Sequence, residues 1–152
     1  MESLIRWHCH DFAGFTPLAL YRVLQLRDRV FVVEQHSIYG DPDGRDIDCL
    51  HLCGTLADGS LAAYARLLAP GSVYPDAAAL GRIVVEPSLR GQGMGRQLLA
   101  RALDDCARHY PGPVMLSAQT RATRFYEAFG FRCVGAPYDD GGIAHVDMRK
   151  NP

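Results

Sequence analysis

The sequence predicts an α/β (α+β) fold, a mixed central β-sheet flanked by helices, with elements in the order β-α-β-β-β-α-β-α-β-β. Three observations predict it. Short apolar runs bounded by turn residues recur along the whole chain. An Asp58-Gly59 pair joins two of those runs as a hairpin. One stretch, Arg96 to Tyr110, carries apolar residues at helical spacing directly after a glycine-rich loop.

The 152 residues suit one domain, 1–152, with a single core, and the 48% hydrophobic to 22% charged balance is that of a globular chain. A net charge of -1 lacks the basic footprint of a nucleic-acid protein. No apolar run approaches the roughly 20 residues of a membrane helix. Met1-Glu2-Ser3-Leu4-Ile5-Arg6 has neither the basic end nor the apolar stretch of a signal peptide. Cys9, Cys49, Cys53, Cys106 and Cys133 are odd in number and scattered, which reads as reduced thiols in a cytoplasmic protein.

Along the chain, Leu4 to His10 reads as a first strand. Thr16-Pro17 opens a helix: a hydroxyl to cap it, then proline where a missing N–H costs nothing. That helix runs from Leu18 to about Gln35, with the β-branched Val30-Phe31-Val32-Val33 block disturbing its end. An acid-rich loop, Asp41 to Asp48, reads as solvated and able to attract a cationic amine. Strands follow at Cys49–Leu56 and Leu61–Leu68, with both Asp58 and Gly59 free to take positive φ in the turn. Arg82–Glu86 is a buried strand closed by Pro87. In the next helix Leu98, Leu99, Ala102, Leu103, Cys106 and Tyr110 form one face, and Arg101, Asp104, Asp105 and Arg108 the other. A strand at Val114–Ala118, a helix from about Thr120 to Phe129 ending at Gly130, and strands near Phe131–Val134 and Ile143–Met148 complete the chain.

The loop Arg90-Gly91-Gln92-Gly93-Met94-Gly95-Arg96 lies between a buried strand and an amphipathic helix. Glycines let a ligand approach the backbone, and the first N–H groups of a helix lack partners and sit at the positive end of its dipole. Such a loop is a phosphate or diphosphate site. A dinucleotide fingerprint fails, because Arg96 or Leu98 stands where its last glycine belongs, and a P-loop fails for want of Gly-Lys-Ser/Thr. Arg-x-x-Gly-x-Gly, from Arg90 to Gly95, does fit.

This loop resembles the coenzyme A loop of the GNAT acetyltransferase superfamily. Phe125-Tyr126 followed by Gly130-Phe131 is similar to the helix whose tyrosine lies near the thioester in that superfamily. Leu26-Arg27, Val30 to Gln35, Tyr39, Asp43, Asp46, His51-Leu52, Gly81-Arg82, Ala118-Gln119 and Gly142-Ile143 with His145 look like its ElaA-like branch. Ser37, Gly141 and Ala144 depart from the branch's pattern. The resemblance implies a GNAT-like fold and transfer of an acetyl group from acetyl-CoA to an amine, a small molecule, peptide N-terminus or lysine, by direct attack with no acyl-enzyme. It implies that Ile83, Val84, Val85, Arg90, Gly91, Gln92, Gly93, Met94, Gly95, Arg96, Gln119 and Phe125 hold the coenzyme, a strand N–H near Val84-Val85 polarising the thioester carbonyl. The implied partners are acetyl-CoA and an amine, with no nucleic acid, membrane or metal; a homodimer is compatible with it.

Tyr126 is the candidate acid for the leaving thiolate, although it also fits an aromatic core cluster with Phe125, Phe129 and Phe131. Glu34 and His145 are candidate bases, each also readable as an ordinary surface or sheet-face residue; Asp48 and His51 are weaker ones. Cys49, His51 and Cys53 share a strand face but lack the second ligand pair of a zinc site, and in Asp41–Asp48 the glycine is misplaced for a calcium loop and no glutamate closes it. Nothing near Cys49 or Cys53 would activate a nucleophile. Two rival functions remain: a non-catalytic acyl-CoA sensor module, and transfer of a longer acyl chain, since the front half also resembles acyl-homoserine-lactone synthases.

Overall fold

A computed structural model describes residues 4–37 and 39–152; Met1, Glu2 and Ser3, read above for a signal peptide, lie outside them. The elements are β1 (Arg6–Asp11), α1 (Pro17–Arg27), β2 (Leu50–Thr55), β3 (Leu61–Leu68), β4 (Ala78–Val85), α2 (Met94–His109), β5 (Val114–Gln119), α3 (Thr123–Glu127), β6 (Arg132–Asp140) and β7 (Ile143–Lys150), in the expected order. The strands form a seven-stranded sheet, β1-β2-β3-β4-β5-β7-β6. Every neighbouring pair is antiparallel except β4 and β5, which α2 joins as a parallel crossover. No helix among the described residues is long and apolar enough to cross a membrane.

Local chemistry explains most element ends. Thr16 Oγ1 accepts the Ala19 N–H at 3.1 Å, and Pro17 occupies the first helical position. The helix continues past Arg27 but widens to a π-wound segment, Asp28–Glu34, whose last bond runs from the Gln35 N–H to the Val30 carbonyl at 3.1 Å. The wider turn coincides with the crowded β-branched side chains of Val30, Val32 and Val33. In the β2–β3 turn only Gly59 takes positive φ, at 85°, correcting the expectation for Asp58. Asp58 instead stays outside the left-handed region and its carboxylate accepts the Ser60 N–H at 2.9 Å. The helix expected over 120–129 is shorter, a 3₁₀ turn Thr120–Ala122 leading into α3, and Gly130 ends the turn after it at φ 94°.

The sheet is covered on both faces. Alternation along β3 sends Ala63, Ala65 and Leu67 to α2, whose Leu98, Leu99, Ala102 and Cys106 are fully buried there. The small alanines let α2 lie close. Tyr64 points to the opposite face, against Val23, Leu26 and Val30 of the first helix. One residue of α2 departs from expectation: Asp105, assigned to the polar face, is 2% exposed. It adjoins the apolar stripe between Ala102 and Cys106, and burial together with the nearby Asp105 carboxylate pushes the Cys9 thiol of β1 up to about 11.

The acid-rich loop is solvated only in part: Asp43 and Asp48 are exposed, and Asp43 lines the cavity described below, but Asp41 and Asp46 are buried among arginines. Arg27, 0% exposed, pairs its Nε with Asp41 at 2.8 Å and its two terminal nitrogens with Asp46 at 2.8 and 3.1 Å. Arg66, on the α1 face of β3, donates to Asp46 at 3.0 Å and to Asp43 at 2.8 Å. Arg82 donates from Nε to the Asp41 carboxylate at 2.8 Å and to the Asp41 carbonyl at 2.9 Å. His51 closes the cluster: its Nε2 donates to the Asp46 carbonyl at 2.8 Å and its Nδ1 accepts the Tyr64 hydroxyl at 2.6 Å. With both ring nitrogens engaged, His51 is neither a free base nor a ready metal ligand, although Asp46, Cys49 and His51 come together.

Removing Asp46 takes the shared carboxylate from two buried guanidiniums, which keep only Asp41 and Asp43, so Asp46→Ala should lower the unfolding free energy by about 3 kcal/mol in urea titrations. Hydrogen bonds from the arginines hold the Asp43 and Asp46 carboxyls below their ordinary range. Their stabilisation is complete above the unfolded value of about 3.9 and disappears as pH falls through the folded values below it. The stability gap between the wild type and Asp46→Ala should therefore narrow only below about pH 4.

Candidate functional site

The site forms where β4 and β5 part. They pair only through Ala78 with Val114 and Ala79 with Met115. Beyond that rung β4 bulges: Tyr64 faces Val84 and Arg66 faces Gly81, leaving Arg82 and Ile83 opposite the single residue Ala65. Arg82 sits at φ 49°, a left-handed conformation that costs about 1–3 kcal/mol in a non-glycine residue. Its two bonds to Asp41 hold it there. The Glu86 N–H donates to Ala62 on β3, so strand alternation turns the Val85 N–H to the opposite edge, where β5 has withdrawn. An unpaired polar strand edge lining a cleft is what a thioester carbonyl and an amide-bearing arm require.

A cavity of roughly 560 Å³ occupies the gap. Ile83 of β4, Gln119 of β5, Tyr126 of α3 and His145 of β7 line it. Val84, which the resemblance places at the coenzyme, points its side chain into the core under α1, and the alternation that frees the Val85 N–H turns the Val84 N–H toward β3. At one end of the cleft the chain passes a 3₁₀ turn, Pro87–Leu89, capped by Glu86, whose carboxylate accepts the Ser88 N–H at 2.7 Å. The glycine loop follows. Gly91 and Gly93 both lie at φ 80° with open space where a Cβ would project, and Gly93 caps α2 with no side-chain bond. The first intrahelical donor is the Gln97 N–H, bonded to Gly93 at 3.2 Å, so the N–H groups of Met94, Gly95 and Arg96 begin α2 without helical partners. Met94's side chain is buried beneath the loop, while Gln92 and Arg96 are exposed. Gly95 differs: a Cβ there would meet the Phe125 ring at 3.6 Å, an ordinary contact, which places Phe125 where it packs the start of α3 on the start of α2.

Tyr126 is half-buried, and burial pushes its hydroxyl up to about 12. At neutral pH it keeps its proton. Its ring also meets Phe125 and Phe131 edge-on, so core packing aims a polar atom into the cavity. Glu34 is held elsewhere. It accepts both terminal nitrogens of Arg90 at 2.8 and 3.2 Å, is outside the cavity lining, and that hydrogen-bonded pairing holds its carboxyl below the usual range. Arg90 thus ties the glycine loop to the end of the π-wound segment. His145 donates from Nδ1 to the Ile143 carbonyl at 2.7 Å, which leaves Nε2 with a lone pair. Asp48 is absent from the lining. All five cysteines are unpaired, and burial pushes the Cys49 and Cys53 thiols up to about 11 and 12, far from nucleophilic thiolates.

The sequence reading missed several residues of the cavity wall. Tyr74 and Ser117 line it, and Tyr138 and Asp147 stand behind them. Polar residues at alternate positions of apolar strands, Ser117 and Gln119 on β5 and His145 and Asp147 on β7, were the available signal.

Residues 50–152 match the family described as acetyltransferase (GNAT) domain. The chain is 42% identical over 145 residues to a UPF0039 protein of Synechocystis sp., covering 95% of this chain and 94% of that one. It is 39% identical over 150 residues to Escherichia coli ElaA, 97% of each chain. The crystal structure of ElaA superposes with a TM-score of 0.90, covering 97% of this chain and 100% of that one. The crystal structure of an acyl-CoA N-acyltransferase from Pseudomonas aeruginosa superposes with a TM-score of 0.91 at 41% identity, covering 97% and 99%. The acyl-homoserine-lactone synthase LasI, at 15% identity and a TM-score of 0.80, shares the fold alone. A glycine loop opening a helix, a cleft between two parting parallel strands and these likenesses agree: the chain belongs to the GNAT acyltransferase family, in the branch that includes ElaA.

Proposed function

We propose that the protein transfers an acetyl group from acetyl-CoA to an amine by direct attack of the amine on the thioester, without an acyl-enzyme. The observation that carries this reading is the continuity of one path. It runs from the unpaired N–H groups at the start of α2, which lie outside the cavity lining, along the free edge of β4 to Ile83 and a protonated Tyr126, which line it. The sheet that builds this path draws strands from both ends of the chain, which supports residues 1–152 working as one domain.

In this reading the α2 N-terminus and the glycines from Gly91 to Gly95 receive the diphosphate. The β4 edge at Ile83 and Val85 receives the pantetheine arm and thioester carbonyl. Gln119 and Phe125 flank the arm, Phe125 mainly by fixing α3 against Gly95. Arg96, exposed beside the N-terminus, adds positive charge, whereas Arg90 acts by holding the loop through Glu34. Tyr126 gives its proton to the departing thiolate. His145 Nε2 accepts the proton the amine must lose. Glu34 is the weaker base, since its ion pair with Arg90 lowers its basicity. The buried thiols, held protonated, disfavour a covalent cysteine route.

A cavity of roughly 560 Å³ favours a second reading, transfer of a longer acyl chain. Thermal stabilisation by acetyl-CoA and by hexanoyl-CoA separates the two, because the tighter ligand stabilises more.

Thiol release from acetyl-CoA in the presence of a primary-amine panel should reveal turnover; coenzyme binding with no turnover would instead favour a sensor module. Gly93→Glu strains the left-handed position by about 1–2 kcal/mol, which circular dichroism should show α2 to survive, and should weaken coenzyme binding by about 100-fold or more through charge repulsion. Coenzyme would then no longer raise the melting temperature. Tyr126→Phe should lower kcat about 100-fold or more with coenzyme affinity nearly unchanged. The wild-type rate should show no loss of the Tyr126 proton until pH nears the tyrosine's value of about 12.

A further inference from the structure

Ser117, Tyr138 and Asp147 form a chain of hydrogen bonds behind the cavity wall. The Tyr138 hydroxyl donates to Asp147 Oδ1 at 2.7 Å and is also bonded to the Ser117 hydroxyl. Tyr74 approaches the same carboxylate oxygen from the loop before β4, at 3.5 Å. A carboxylate only accepts, so Tyr138 spends its one proton on Asp147. Ser117 must then donate to Tyr138, and its Oγ is left with lone pairs alone for anything in the cavity it lines.

His145 reaches the same condition by another route. Its Nδ1–H is taken by the Ile143 carbonyl, so Nε2 presents a lone pair. The Tyr138 ring stacks on the imidazole, with centroids 6.3 Å apart and planes 24° apart, so one tyrosine steadies both groups. Ser117 pairs with Asp147 across β5 and β7, and Gln119 pairs with His145 two residues along, on the same face. Ser117 and His145 are therefore diagonal neighbours, about 7–8 Å apart at the backbone. Two side chains that can only accept, on one wall of the cavity, call for a group carrying several N–H bonds. A hydroxyl offers one hydrogen; a primary amine or ammonium offers two or three.

We infer that Ser117 Oγ and His145 Nε2 form the amine subsite, and that Tyr138 and Asp147 set its selectivity by fixing which way the Ser117 hydroxyl points. This deepens the acyl-transfer reading and rests on it for the subsite's purpose. Ser117 and His145 touch the amine. Tyr138 and Asp147 are positioning residues that act through Ser117. The other charged or titratable groups around the Asp147 carboxylate are Tyr74, His145 and Arg149 on the same face of β7, with Arg149 engaged by Asp76 at 3.2 Å.

The test is an NMR titration of the imidazole nitrogens of His145 with n-butylamine hydrochloride, coenzyme A present, and with n-butanol as the one-hydrogen control. Saturable shifts with the amine and none with the alcohol are expected. Ser117→Ala should weaken amine binding about tenfold, the worth of one bond to a charged group, and Ser117→Thr should restore it. Tyr138→Phe should weaken it while leaving Ser117 in place. In turnover with n-butylamine, Ser117→Ala should raise the acceptor KM with the acetyl-CoA KM unchanged. Equal amine affinity in the wild type and Ser117→Ala, or no saturable shift in a well-dispersed wild-type spectrum, overturns the subsite. Saturable amine binding without any acyl transfer keeps the subsite and removes the transferase reading; transfer with an unaltered acceptor KM in Ser117→Ala does the reverse.

Discussion

The cleft depends on a buried ion network. Asp41 and Asp46 draw together Arg27 from the first helix, Arg66 from β3 and Arg82 from β4. Burying such charges is expensive unless each is paired, and here each is. What the network obtains is backbone geometry. Arg82 is locked in a left-handed conformation in the middle of a strand, and the bulge this creates carries β4 away from β5. A straight β4 would go on pairing with β5 and close the gap. Loop residues 41–46 thus shape the cleft and also form part of its wall, through Asp41, Asp43 and Arg45.

From that one distortion the rest of the site follows. The parting of β4 from β5 frees a backbone edge, and α2, the crossover between those strands, must begin at the same end of the cleft. Its unpaired N–H groups and left-handed glycines therefore sit beside the freed edge. The β5–β7 pairing continues past the gap, so Ser117, Gln119, His145 and Asp147 form a polar wall across from it. Tyr126 arrives through the packing of α3 on α2, an apolar contact with a hydroxyl at its tip. The Glu34–Arg90 pair ties the front of the chain to the glycine loop.

The element order, the α2 stripe and the glycine loop were legible because each is a local pattern: helical spacing, turn chemistry, glycine placement. The ion network was not, although one trace of it was present. Arg27 follows Val23 by four and precedes Val30 by three, the spacing of a buried position, yet an arginine there reads as surface until its partners are known. Asp41 and Asp46 read as solvated for the same reason, since charge without a partner belongs in water. Asp105 shows the same limit on α2. Pairings of this kind join residues far apart in sequence, and no periodicity encodes them. Glu34 was recognised as part of a meaningful block, but its bond to Arg90 turns it from the cavity, and only the folded chain reveals that. Ser117 and Asp147 escaped notice because one polar residue in an apolar strand looks like ordinary alternation.

The central claim is that the gap between β4 and β5 receives the pantetheine arm with the diphosphate on the start of α2. A crystal structure of the protein soaked with acetyl-CoA tests it most directly. The account predicts diphosphate oxygens within hydrogen-bonding distance of the backbone N–H groups from Gly91 to Arg96, and the thioester beside Ile83 and Tyr126. Coenzyme bound on another surface, with β4 and β5 unoccupied between them, would contradict it.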